Sequence, residues 1–121
     1  MNLTYQDLHE QKQLDHVFKS YSRLFPDNCE ITPATVKIAV DNWIPLGDFI
    51  ADKVCDGAMA LFRLKQDEAV KGWCDAHWTA MRNRQPNIST ALRIYREQMM
   101  EAFRAMIEYD SKQEVNNDIQ I

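Results

Sequence analysis

Apolar residues recur along most of this chain at steps of three and four, the period of a helix that buries one face. The clearest run is Ile88, Leu92, Tyr95, Met99, Ala102, Met106 and Tyr109, which alternates steps of four and three without a Gly or Pro. That pattern predicts a seam packing against other helices, on a final helix capped by Asn87 or Ser89.

The preceding segments read the same way. Thr4 is a good N-cap, and Asp7 falls in the first turn, where a carboxylate suits the helix dipole. A first helix is therefore expected from Thr4 towards Phe25, ended by Pro26-Asp27-Asn28. Thr32-Pro33 restarts a helix carrying Val36, Ile38, Ala39, Val40, Trp43 and Ile44. Pro45 then either kinks it or opens a new one. From Leu46, the series Phe49, Ile50, Val54, Ala58, Leu61, Phe62, Ala69, Trp73, Ala76 and Ala80 favours one long, bent helix to Arg82. It would run through the polar Lys65-Gln66-Asp67-Glu68, with a break there as the alternative, and would tolerate Gly57 and Gly72 at about 1 kcal/mol each. Gln85-Pro86-Asn87 is a connection, and residues 111–121 form a polar tail without apolar period, expected to fray. The pattern as a whole predicts an all-α fold. It is a bundle of three to five helices with long antiparallel amphipathic members, in a single helical domain over 1–110.

Composition agrees. At 121 residues and 45% hydrophobic, the chain is of a size to bury roughly two thirds of its unfolded surface. Cys29, Cys55 and Cys74 are an odd number without paired spacing, and the start lacks a basic segment followed by an apolar core. Reduced thiols and a cytoplasmic location are expected. No run approaches the roughly 20 apolar residues that cross a bilayer.

A net charge of −4 excludes a protein that coats nucleic acid through its whole surface. The charge is also unevenly spread. Asp48, Asp52 and Asp56 step by four, placing them on one face of the expected helix, with Asp41 extending the series. Such an acidic face suits a basic partner or mimics phosphates, against its commoner use as a solvated face opposite Phe49, Ile50 and Val54. Arg82, Arg84, Arg93 and Arg96 surround the 85–87 connection with no acid among them, forming a basic end. That end could take a phosphorylated or nucleic-acid partner, or serve in salt bridges such as Arg93 to Glu97.

Chemistry is sparse. Cys74 and His77 share a helix face, but two ligands do not make a zinc site. There is no phosphate-binding glycine loop, no HExxH and no Glu-x-x-His pair. No catalytic residue, metal or cofactor is expected. The remaining surplus is apolar: Met59, Met81, Met99, Met100 and Met106 with several aromatics exceed what a small helical core hides. Tyr95, Met99, Met100, Phe103 and Met106 are the candidate self-association surface, with Trp43 adding contact area. The seam serves equally within one chain or between two.

From Ala58 to Tyr109, the order of a long amphipathic helix, a break at Arg84-Gln85-Pro86-Asn87 and a final helix beginning Ala91-Leu92-Arg93-Ile94-Tyr95 resembles the phasins. Those are small, oligomerising helical proteins that coat polyhydroxyalkanoate granules. The resemblance implies a coat on a hydrophobic surface and no catalytic residues. The residues themselves lead to a non-enzymatic protein that binds another protein, as an adaptor or inhibitor, and forms a homodimer. A granule coat and nucleic-acid binding through the arginines are the alternatives.

Overall fold

The computed structural model describes residues 1–84 and 88–119, with side chains up to residue 113. The expected Gln85-Pro86-Asn87 connection and a cap by Asn87 lie outside the described residues. The fold is all-α, with six helices among the described residues and one small antiparallel ladder. The chain divides into two compact units, residues 1–55 and 56–121. No helix is long and apolar enough to cross a membrane.

The first unit opens with β1 (Asn2–Leu3), paired antiparallel with β2 (Cys29–Glu30) so that Leu3 faces Cys29. Strands of two residues leave no alternating pattern in sequence. Thr4 caps α1 (Tyr5–Glu10) as expected: its Oγ1 accepts the Asp7 amide at 3.1 Å, and the Asp7 carboxylate accepts the Thr4 amide at 2.9 Å. Thr32 caps α3 (Pro33–Asp41), with Pro33 in the first turn.

The expected helix from Thr4 to Phe25 is instead two helices, α1 and α2 (Asp15–Leu24). Lys12 adopts φ 55°, the Lys12 amide bonds to His9 O at 3.0 Å, and the Gln13 amide reaches back to Leu8 O at 3.3 Å. That is the Schellman ending, here with lysine where glycine is usual. The Gln11 amide group anchors the break by donating to Phe49 O at 2.6 Å.

Trp43 ends α3 in the same manner, at φ 58°, with the Ile44 amide bonded to Ala39 O at 2.9 Å. Pro45 therefore separates helices rather than kinking one. The long helix expected from Leu46 is also divided, into α4 (Leu46–Phe49), a 3₁₀ turn (Ala51–Lys53) and α5 (Asp56–Arg82), with Val54 extended between them. Beyond Asp56 the expectation holds. The helix is continuous through Lys65-Gln66-Asp67-Glu68 for 27 residues.

An aromatic cluster centres the first unit. Tyr21, fully buried, stacks on Phe25 at 4.8 Å between ring centres and meets Phe49 and Tyr5 edge-on at 5.7 and 6.2 Å. Tyr5 also donates its hydroxyl to Phe25 O at 2.7 Å, tying α1 to the end of α2. Leu3, Leu8, Cys29, Val36, Ala39, Val40, Ile44, Leu46 and Ile50 complete the buried apolar set.

The second unit is a hairpin of α5 and α6 (Ser89–Ile119). Helical backbone continues through 111–119, beyond the last apolar seam residue. The Phe62 and Phe103 rings meet at 4.7 Å and those of Trp73 and Tyr95 at 6.1 Å, which fixes the helices as antiparallel neighbours.

Candidate interaction surfaces

The seam resolves first. Met99, Ala102, Phe103 and Met106 are buried within the single chain, and Phe103 packs on Phe62 of α5. Three of the five residues expected to drive self-association are therefore used internally, which corrects that expectation. Tyr95 and Met100 are half-buried; burial also holds the Tyr95 hydroxyl above its ordinary pKa. Trp43 remains exposed, in a left-handed conformation that bulky residues rarely adopt.

The acidic stripe does not exist as a helix face. Asp48 lies in α4, Asp52 in the 3₁₀ turn and Asp56 at the first position of α5, so the spacing of four no longer aligns them. The extended Val54 removes the helical register that the alignment required. Asp41, the last residue of α3, accepts from Lys37 Nζ at 2.8 Å. Asp7 joins the α1 cap to Lys53. The Thr4 amide and then Lys53 Nζ, at 3.1 Å, hold its pKa below the usual value despite opposing desolvation.

The arginines keep the expected neighbourhood. Arg82 ends α5, Arg84 follows at φ 54°, and Arg93 and Arg96 lie within the first turns of α6. Arg93 bonds to Glu97 at 3.5 Å, as the i,i+4 spacing predicts. Further along, Arg104 bridges Glu101 and Glu108, and Lys112 reaches Glu108 at 3.1 Å. These exposed pairs lower the pKa of both glutamates.

No family model, curated protein or solved structure matches this chain. Its surfaces must be read from their own geometry. Among the described residues, no group of three His, Cys, Asp or Glu side chains is placed to hold a metal ion. Cys74 and His77 both lie exposed on α5, and His77 sits near the Trp73 ring at 6.1 Å.

One surface was not anticipated. Between Val70 and Gln98, no described residue is buried, whereas Ala58, Met59, Phe62 and Ala69 on α5 and Met99 to Met106 on α6 supply buried positions in the other half of the hairpin. In the half nearest the connection, Trp73, Ala76, Ala80, Leu92 and Tyr95 are only half-buried, because two helices alone cannot enclose a seam. Val70, Cys74, Trp78 and Met81 are exposed and follow each other at four, four and three residues, forming a second stripe on α5 beside the one that meets α6. The signal was present in the sequence. It interleaves with the Ala69, Trp73, Ala76, Ala80 series, and only the placement of α6 shows which series is covered.

Proposed function

We propose that this protein acts by binding another protein, without chemistry of its own, through the half of the α5–α6 hairpin nearest its connection. The observation that carries this reading is the exposed Val70, Cys74, Trp78, Met81 stripe. A tryptophan and a methionine in line on a solvent-facing helix cost solubility, and both residue types are enriched in the centres of protein interfaces. Arg82 and Arg84, beyond the Met81 end of the stripe, and Arg93 on α6 add exposed charge suited to orienting a partner. The three free thiols fit a reducing, cytoplasmic setting.

The test places a photo-crosslinking amino acid at position 78, and at the exposed Lys37 as control, in the cell of origin. Position 78 is expected to give discrete protein adducts that Lys37 does not, and Met81→Glu is expected to remove them. Equal labelling at both positions, or none at 78, overturns the reading.

A further inference from the structure

Resting on that reading of the stripe, we infer that its occupant is a second copy of this chain, packed antiparallel along the second half of α5 to make a four-helix contact. Three observations carry this. The first is symmetry. In an antiparallel α5 pair centred between Asp75 and Ala76, Val70 lies opposite Met81 and Cys74 opposite His77 and Trp78. Each contact then recurs on the other side of a twofold axis, as an isologous interface requires. The spacing of four, four and three, eleven residues over three turns, also keeps the stripe on one face of the helix along its length.

The second is charge. The same register carries exposed Asp67 of each copy to the end of the other's α5, where exposed Arg82 lies and Arg84 follows, so that opposite charges gather beyond both ends of the apolar stripe. A parallel pairing would set Asp67 against Asp67 and Arg84 against Arg84. The third is area. Trp78, Met81 and Val70 are 63%, 61% and 41% exposed. With a large apolar side chain carrying about 150–250 Å², they offer roughly 350 Å² per copy. A standard interface covers about 800 Å² per partner, a little over half of it non-polar, so the stripe supplies most of the apolar share.

The full chain is measured by light scattering over a range of concentrations, alongside Trp78→Glu and the variant Val70→Cys/Met81→Cys with Cys74→Ser. The two introduced thiols are eleven residues apart on one helix, about 16 Å along its axis, so they cannot bridge within a chain. Dimer is expected to form with rising concentration. Trp78→Glu is expected to be monomeric with an unchanged far-ultraviolet circular dichroism spectrum. The cysteine variant is expected to oxidise to a covalent dimer through 70–81 bridges. A chain monomeric at every concentration overturns the inference, as does a dimer indifferent to Trp78→Glu or one bridged 70 to 70. If the monomeric chain still gives position-78 adducts of another mass in cells, the second copy is excluded while the protein-binding reading stands. If neither dimer nor adduct forms, both fall.

Discussion

Two glycines fifteen residues apart on α5 provide a controlled test of how the hairpin packs. A methyl group at Gly72 would find no atom within 4 Å, whereas at Gly57 it would lie 2.7 Å from Tyr109 Oη and 2.9 Å from Cε1. Alanine in a helix interior is worth about 1 kcal/mol over glycine, mostly through lost freedom of the unfolded chain. Gly72→Ala should realise that gain in full. Gly57 lies in the first turn of α5, where the gain is smaller, and the Tyr109 ring must swing away from α5 to admit the methyl. Gly57→Ala should therefore be neutral or destabilising. In a Tyr109→Ala background the penalty should vanish, a coupling of about 1 kcal/mol between directly contacting residues. Urea unfolding followed at 222 nm resolves this. With a slope of about 1–3 kcal/mol per molar, the Gly72→Ala midpoint should rise by roughly half a molar. Equal gains at both glycines, with or without Tyr109, would refute the placement of α6 against the start of α5.

Two further predictions concern the first unit. The Tyr21 hydroxyl is buried without a hydrogen-bond partner among the described residues, and burial raises its pKa well above 10. The stability tied to its neutral form is complete below pH 10 and lost as pH rises beyond it. Tyr21→Phe should be neutral, or stabilising by about 1 kcal/mol, at pH 7 and should shallow the alkaline limb of the stability curve; a loss above 1 kcal/mol would contradict the geometry. Asp7 has the opposite sign: its lowered pKa gives stability that is present above about pH 4 and lost as pH falls through the folded-state value. Asp7→Asn should cost about 1 kcal/mol at pH 7 and progressively less as the pH is lowered through the acid range, measured by urea unfolding across that range.

The helix starts were legible because their signals are local. Thr4 with Asp7 and Thr32 with Pro33 carry the cap in four residues, and the Ile88 to Tyr109 seam carries its partner-facing side in its own spacing. The breaks were less so: Pro45 marked the one after α3 but left a kink or a new helix open, and the residues that make the turns do not advertise them. Lys12 and Trp43 occupy left-handed positions usually taken by glycine, and Gln11 fixes its turn through Phe49 O, 38 residues away. The third, at Val54, rests on an extended backbone that a β-branched residue accepts without any proline or glycine to mark it. That same break dissolved the acidic stripe, since a spacing of four has meaning only on an unbroken helix. The candidate apolar surface failed for a different reason: periodicity found the side of α6 on which Met99, Ala102 and Met106 are buried but could not tell a neighbour in the same chain from one in another.

The uneven burial along the hairpin also has a dynamic consequence, which tests the same surface without mutation. Local opening costs little where few apolar contacts hold the backbone, and the half between Val70 and Gln98 has half-buried contacts only. In dilute protein, its amides should exchange with deuterium well before those around Phe62 and Phe103, whose paired rings anchor the other half. Raising the concentration should then slow exchange selectively at 73–81 if a second copy covers the stripe, because only the associated state removes that backbone from solvent. Uniform exchange along α5 would show that Trp73 and Tyr95 close the hairpin unaided. That result would remove the reason to look for anything covering Trp78 and Met81.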